Sequence, residues 1–163
     1  MSAVRDVTDI DRRFLEEAVE HARKNVLEGG GPFGAVIVEN GVVVARAANR
    51  VTLDNDPTAH AEVLAIRAAC KERGDFQLRG MTLYSSCEPC PMCLATALWS
   101  RVDRVFFAGD RHDAARGGFD DLAFYELFAT PREQWDTAVL EVRTENPAAP
   151  FDEWLNSSTR TDY

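Results

Sequence analysis

The chain has 163 residues, of which 45% are hydrophobic and 28% charged, so it can bury one substantial core and leaves little room for a second. With no long Gly, Ser or Pro tract, this composition excludes an intrinsically disordered protein or a flexible linker. The formal net charge of −9 disfavours nucleic acid as a partner, because a negative field repels polyphosphates. We expect a single folded domain over residues 1–163.

The cysteines and the N-terminal residues indicate the cellular compartment in which the protein works. Three of the four cysteines fall within seven residues, which indicates metal or redox chemistry in a reducing compartment. The first eleven residues contain three aspartates and no long apolar run, unlike a secretory signal. No apolar stretch approaches the roughly 20 residues needed to cross a bilayer. We therefore expect a cytoplasmic protein with no membrane association.

The N-terminal third predicts a helix followed by a hairpin. Apolar residues recur at helical spacing over 10–27, and three glycines at 29–31 end this helix. Two stretches rich in β-branched residues follow, over 33–39 and 42–48. They are separated by Asn40-Gly41, a dipeptide typical of two-residue hairpin turns, so the two strands should pair antiparallel.

The remaining chain alternates between helices and strands. Asp56-Pro57 predicts a helix that begins near Pro57 and runs to Arg73, before Gly74. The later elements are a strand over 81–85, a helix over 91–99, a strand over 102–108, a helix over 121–128, a strand over 138–142 and a short helix over 151–155. Strands joined through helices lie parallel, with helices on both faces. The predicted fold class is α/β, a three-layer α/β/α arrangement with a mixed five-stranded sheet.

Two short motifs carry candidate chemistry. Thr58-Ala59-His60-Ala61-Glu62 lies near the start of one predicted helix, and a segment rich in cysteine, 87–93, precedes another. His60, Cys90 and Cys93 are enough for a three-ligand zinc site with a vacant fourth position, as a catalytic zinc requires. Both segments lie at helix N-termini, whose positive ends favour thiolates and hydroxide.

A zinc ion lowers the pKa of bound water from 15.7 to about 7, so that hydroxide becomes available at neutral pH. A carboxylate must then move protons, and Glu62 can pass one from water to a ring nitrogen and protonate a leaving amine. These proton transfers are the steps that a hydrolytic deaminase requires. The spacing leaves open a closed structural site in which Cys87 is a fourth ligand, in a zinc-stabilised module without catalysis.

His-Ala-Glu at 60–62 and Pro-Cys-x-x-Cys at 89–93 resemble the signature of the cytidine-deaminase superfamily. The resemblance implies a cytidine-deaminase-like fold with one zinc ion per subunit. It assigns zinc to His60, Cys90 and Cys93 and the proton shuttle to Glu62. It leaves Cys87 outside the metal's ligand set.

Most of the chain is similar to the bacterial guanine deaminases, through Gly30-Gly31-Pro32-Phe33-Gly34-Ala35, Asn55-Asp56-Pro57-Thr58-Ala59-His60, Ser86-Cys87-Glu88-Pro89-Cys90-Pro91-Met92-Cys93, Gly118-Phe119-Asp120-Asp121 and Asp162-Tyr163. The resemblance implies hydrolysis of guanine to xanthine and ammonia by a zinc-bound hydroxide. In the implied site Asp121 is catalytic and contacts the purine. The implied substrate-binding residues are Asn49, Phe33, Ala61, Trp99, Phe119 and Tyr163.

The resemblance also implies a homodimer that exchanges a C-terminal segment of about 144–163, so that Tyr163 serves the active site of the partner.

The residue types alone also allow purely structural roles for the implied site residues. Asn49 could shape a turn and Asp121 could cap a helix. Tyr163 could be a frayed terminus, and the aromatic side chains could be core residues.

Two other activities share the metal signature. A tRNA-adenosine deaminase would need a cationic surface, and neither the acidic net charge nor the C-terminal sequence provides one. The other is deamination of a different small amine, such as cytosine, a nucleoside or ammeline. The size of the pocket decides between that activity and guanine deamination, and the sequence does not give it.

Overall fold

The computed structural model describes residues 6–163. Their helices and strands, in chain order, are α1 (Asp9–Leu27), β1 (Gly34–Glu39), β2 (Val42–Ala48), α2 (Val51–Asp54), α3 (Ala61–Arg73), β3 (Met81–Cys87), α4 (Pro91–Trp99), β4 (Arg104–Gly109), α5 (Arg111–Arg116), α6 (Asp121–Phe128) and α7 (Ala149–Asn156). The sheet of these residues has the order β2-β1-β3-β4. No helix among them is long and apolar enough to cross a membrane.

The sheet is mixed, as predicted. Strand β1 pairs antiparallel with both β2 and β3, whereas β3 and β4 are parallel and joined through α4. Asn40 and Gly41 connect β1 to β2 with φ angles of 51° and 78°. Two left-handed residues give a turn whose twist matches that of the paired strands, so the predicted hairpin is confirmed.

Helices cover both faces of the sheet, because alternate residues of β1 point to opposite sides. Val36 and Val38 pack in one core cluster with Phe14 and Ala18 of α1. A second cluster, on the opposite face, joins β1 to α3 and α4 and contains Ala35, Ile37, Ala61, Ala65, Ile66 and Ala97 among others. The helices thus form a layer on each side of the sheet.

The prediction of five strands is wrong, because the described residues form a sheet of four. The segment 138–142 has no regular secondary structure, and the side chain of Leu140 is 81% exposed. A strand exists only through hydrogen bonds to a neighbouring strand. An apolar run with β-branched residues is therefore not sufficient to form one.

Helix α3 begins at Ala61, four residues later than predicted. Asp56 accepts hydrogen bonds at Oδ1 from the backbone N–H of Thr58 (2.8 Å) and from its hydroxyl (2.7 Å). Asp56-Pro57 therefore forms a local turn instead of a helix start, because the same residue types serve both structures. The short helices α2 and α5 were not predicted.

The chain divides into two compact units, one ending at Glu126 and the other formed by Leu127–Tyr163. The second unit contains a 3-10 turn at Arg132–Gln134 and helix α7. Within it the rings of Trp154 and Tyr163 meet edge to face, with centroids 6.2 Å apart. All the residues that line the cavity described below belong to the first unit.

Candidate active site

The two sequence motifs lie at the N-termini of helices α3 and α4. His60 is the residue that caps α3, with an extended backbone (φ −72°, ψ 150°). Cys90 caps α4 in the same way (φ −62°, ψ 168°), and Pro91 follows at the first helical position, where its missing N–H costs nothing. His60 and Cys90 therefore lie beside the first backbone N–H groups of each helix, which have no acceptor within the helix. The sequence analysis predicted this placement.

The ligand atoms of His60, Cys90 and Cys93 lie within 4.8 Å of one another. The His60 Nδ1 atom is 3.7 Å from the Cys90 sulfur and 3.4 Å from the Cys93 sulfur. In a tetrahedral zinc site, bond lengths of 2.3 Å to sulfur and 2.0–2.1 Å to nitrogen place such atoms about 3.6 Å apart. The three side chains therefore fit a zinc ion.

The charge state of Cys90 agrees with this fit, whereas the hydrogen bond to Cys90 and burial raise the pKa of Cys93, so that the two sulfurs share one proton without a metal. The Cys93 thiol and the His60 imidazole beside it lower the pKa of Cys90 to about 4, and the thiolate is the form that ligates a metal. Burial raises the pKa of Cys87 to about 12, and the nearby acids Asp121 and Glu62 add to the effect. The Cys87 sulfur contacts the carbonyl oxygen of Asp110 at 3.4 Å, and Cys87 does not belong to the candidate ligand group.

Glu62 lies in the first turn of α3, two residues after His60, and its side chain is buried. The Ser85 hydroxyl on β3 donates a hydrogen bond to Glu62 Oε1 at 3.0 Å. Burial raises the pKa of Glu62, and the hydrogen bonds that oppose this shift do not cancel it. A carboxyl with a raised pKa can gain and lose a proton nearer to neutral pH, as a general acid and base must.

A cavity of about 400 Å³ opens beside these residues, within the size range of small-molecule sites. Its lining residues are Gly30, Gly31, Pro32, Phe33, Asn49, Val51, Thr52, His60, Glu62, Cys90, Phe119 and Asp121. The rings of Phe33 and Phe119 meet edge to face at 4.8 Å. The cavity therefore combines an aromatic wall with the two acids and the amide named by the sequence analysis.

Comparison with known proteins is consistent with this geometry. Residues 8–109 match the cytidine and deoxycytidylate deaminase zinc-binding region. The chain belongs to this family of zinc-dependent deaminases. The guanine deaminase of Bacillus subtilis (strain 168) is 47% identical over 151 residues, 92% of this chain and 97% of that protein.

Solved structures of family members agree in fold. The X-ray structure of guanine deaminase from Bacillus subtilis is 46% identical with a TM-score of 0.90, and covers 93% of this chain and 98% of that one. A guanine deaminase structure from Nitrosomonas europaea is 30% identical with a TM-score of 0.66, and covers 72% and 68%. The tRNA-specific adenosine deaminase of Bacillus subtilis (strain 168) is 44% identical over 119 residues, 72% of this chain and 74% of that protein.

Two supporting residues of this deaminase site were missed by the sequence analysis. One is Ser85, which holds the Glu62 carboxyl. The other is Asn25, near the end of α1, whose side-chain amide donates to the carbonyl oxygens of Gly31 and Asn49, both at 2.8 Å. The Ser85–Glu62 and Asn25–Asn49 contacts join residues 23 and 24 positions apart, and neither Ser85 nor Asn25 lies in a motif.

Gly30 and Gly31, at the edge of the deaminase cavity, have asparagine side chains so close to their backbone that a larger residue would not fit without a shift. A Cβ atom at Gly31 would lie 2.8 Å from the Asn49 Oδ1 atom, and one at Gly30 would lie 2.3 Å from the Asn25 side chain. The three glycines at 29–31 were interpreted only as the end of a helix. Gly31 also lets the chain pack against the Asn49 amide that lines the cavity, and Gly30 lets it pack against the Asn25 amide that holds this segment.

Two other predicted substrate-binding residues of the first unit, Ala61 and Trp99, are not part of the cavity lining. Ala61 is fully buried at the start of α3 and packs in the core. Trp99 ends α4 and is 61% exposed, with the Arg101 guanidinium 5.4 Å from the centre of its ring. Tyr163 lies in the unit Leu127–Tyr163, where its ring meets Trp154.

Proposed function

We propose that this deaminase hydrolyses guanine to xanthine and ammonia, with water as the second substrate. The observation that carries the proposal is the convergence on one cavity of a zinc-ligand set, Glu62, Asp121 and Asn49 beside two aromatic rings. Similarity to guanine deaminases over more than nine-tenths of the chain supports guanine as the purine.

His60, Cys90 and Cys93 would hold the zinc ion. When bound, zinc supplies a Lewis acid that makes hydroxide available from water near neutral pH. Glu62 would accept the proton of that water and deliver it to a ring nitrogen as the carbon bearing the amine is attacked. Glu62 would then take the second proton from the hydroxyl added to that carbon and pass it to the amine, which leaves as ammonia as the carbonyl forms. The Ser85 hydrogen bond orients the Glu62 carboxyl for these transfers.

Asn49, Asp121, Phe33 and Phe119 would bind the purine. An amide and a carboxyl can pair with the donors and acceptors along a purine edge, and the aromatic side chains would contact the faces of its rings. Burial raises the pKa of Asp121, and the charge of Cys90 acts in the same direction. Asp121 can therefore also exchange protons with the substrate. Ala61 and Trp99 remain predicted substrate contacts.

We also infer a homodimer that exchanges about 144–163, so that Tyr163 enters the partner's site. Strand β4 ends the four-stranded sheet, and an edge strand has backbone groups free to pair with another chain. Leu140 and Val142 are more than four-fifths exposed in a single chain. A second copy of this chain would cover them. A mixture of inactive Glu62→Gln and Tyr163→Ala chains should regain activity if Tyr163 crosses between subunits, and should stay inactive otherwise.

A cytoplasmic location is part of the same proposal. All four cysteines are free thiols, and two of them are the proposed zinc ligands. Oxidation would pair these thiols and remove the metal site. A reducing compartment would keep the enzyme active.

Ammonia release is the direct test. The purified zinc-loaded enzyme should release ammonia from guanine, and much more slowly from adenine, cytosine, cytidine and ammeline. Addition of a zinc chelator should abolish the release. Faster turnover of cytosine, cytidine or ammeline than of guanine would contradict the proposal.

The second candidate is a tRNA-adenosine deaminase, because one relative at 44% identity has that activity. The net charge of −9 weighs against it, since binding to RNA draws on positive side chains that displace counterions from phosphates. Incubation with tRNA, followed by sequencing for inosine, tests this candidate. Salt-dependent binding of tRNA together with inosine formation would favour it over guanine.

A further inference from the structure

Glu88, Arg111 and Tyr125 form a connected group beside the loop of Cys90. The Arg111 guanidinium donates two hydrogen bonds to the Glu88 carboxylate, at 3.0 Å from Nε and 2.6 Å from Nη2. The backbone N–H of Arg111 donates a third, at 3.1 Å. Glu88 is mostly buried, and this two-pronged geometry fixes the plane of the guanidinium.

Tyr125 packs on that plane. The guanidinium carbon of Arg111 lies 3.5 Å from the centre of the Tyr125 ring, a close cation–π contact. The Tyr125 hydroxyl donates a hydrogen bond of 2.5 Å to the carbonyl oxygen of Pro89, the residue before Cys90. Tyr125 is therefore held at its ring face by Arg111 and at its hydroxyl by the backbone of the cysteine loop.

The same helix carries Asp121. Asp121 is the first residue of α6 and lines the cavity, and Tyr125 follows four residues later. Residues four apart lie on one face of a helix, about 6 Å apart along its axis. Whatever fixes Tyr125 against the cysteine loop therefore also fixes the distance from Asp121 to that loop.

We propose that Glu88, Arg111 and Tyr125 act together as a strut that positions Asp121 over the cavity. The three are positioning residues, since none of them lines the cavity. The proposal rests on the proposed function, because it assumes that Asp121 acts on the substrate. Without the strut, α6 would be held less firmly and Asp121 would sample positions from which it cannot reach the purine.

The test compares two matched variants of the zinc-loaded full-length enzyme. Tyr125→Phe removes the hydroxyl and keeps the ring over Arg111. Tyr84→Phe makes the same change at another hydroxyl with a 2.5 Å hydrogen bond, to Asp11, in the core cluster on the α1 side of the sheet. Each variant is measured for zinc content, for kcat and KM with guanine, and for amide hydrogen exchange over 119–126.

Tyr125→Phe should bind zinc normally, exchange faster over 119–126 and lose about fivefold to tenfold in kcat/KM, the effect expected of one hydrogen bond. Tyr84→Phe should change neither exchange in that segment nor kcat/KM. In Asp121→Asn chains, adding Tyr125→Phe should cost nothing more, because the strut acts through Asp121. Arg111→Lys, which keeps the charge and loses the planar fork, should show a loss in the same direction.

Unchanged exchange over 119–126 in Tyr125→Phe would overturn the strut, and so would unchanged kcat/KM with guanine. Losses that multiply in the double variant would also overturn it, since Tyr125 would then act independently of Asp121. Should the unmodified enzyme release no ammonia from guanine, the proposed function fails instead. Hydrogen exchange then decides the strut by itself.

Discussion

Among the described residues, two carboxyl groups are almost fully buried, one on each side of the sheet, and the balance between burial and hydrogen bonding at the two is opposite. Asp11 in α1 accepts hydrogen bonds from the Thr8 hydroxyl (2.6 Å), the Thr8 backbone N–H (2.8 Å) and the Tyr84 hydroxyl (2.5 Å). Glu62 in α3 accepts one from the Ser85 hydroxyl, and its own backbone N–H and the Cys93 thiol also act as donors to it. Burial raises the pKa of both, but only at Asp11 do the hydrogen bonds and the Arg104 charge outweigh it, so that its pKa is lowered.

The difference shows that one buried carboxyl group contributes to the stability of the fold and the other to catalysis. A buried carboxylate with several donors remains charged, and its bonds contribute to folding. A buried carboxyl whose donors do not outweigh its burial changes protonation readily, which makes it useful for catalysis and of little value for stability. Substitutions at the two positions should therefore affect different measurements.

The largest expected effect is at Glu62. Glu62→Gln keeps the shape and can accept the Ser85 hydrogen bond, but it cannot carry a proton, so kcat for guanine should fall by about 1000-fold. Thermal stability and zinc content should stay close to those of the unmodified enzyme. Steady-state ammonia release, together with metal analysis, measures the result. More than a tenth of the original kcat would show that Glu62 is not the proton shuttle.

The residues of this comparison differ in how far the sequence reveals them. Glu62 was predicted because it lies two residues from His60 within a motif. Asp11 was noted only as one of three N-terminal acids, because its Tyr84 partner lies 73 positions away and no local pattern records that contact. Ser85 and Asn25 were missed for the same reason.

The fold was predictable where the signal is local. The Asn40-Gly41 hairpin and the helix Pro91–Trp99 match their predictions, because turn chemistry and helix starts depend on neighbouring residues. The fifth strand failed because pairing depends on a neighbour that the run of residues over 138–142 does not specify. Single-turn or two-turn helices such as α2 and α5 are too short to show a periodic pattern.

The second largest effect is expected at Asp11, on stability. Asp11→Asn places an amide N–H₂ among the Thr8 and Tyr84 donors, so unfolding free energy should fall by about 2 kcal/mol. The value of kcat/KM for guanine should not change. Urea denaturation measures the loss, and Asp9→Asn, an exposed acid in the same helical turn, is the matched control with little expected change. A loss of activity without a loss of stability would reverse the roles assigned to the two carboxylates.

A smaller effect is expected at Ser85. Ser85→Ala removes the hydroxyl that orients the Glu62 carboxyl, so kcat/KM should fall by about tenfold. Ser100→Ala removes another buried hydroxyl, which donates to the Ala97 carbonyl at 2.8 Å, and it should leave kcat/KM unchanged. Equal kinetic losses in the two variants would indicate a general effect of losing a buried hydroxyl rather than orientation of Glu62.

The smallest effect is the pH dependence of the stability that Asp11 provides. Its pKa is lowered in the folded state, so the contribution is complete above the unfolded pKa of about 3.9 and is lost as the pH falls through the lower folded value. The stability gap between the unmodified enzyme and Asp11→Asn should therefore be constant from about pH 7 to about pH 5 and narrow below about pH 4. Urea denaturation of both chains at several pH values measures this difference in unfolding free energy. All other titrating groups are common to the two chains, so their contributions cancel in the difference. A gap that widens on acidification would mean that burial, and not the donors around Asp11, controls this carboxyl, and the contrast with Glu62 would disappear.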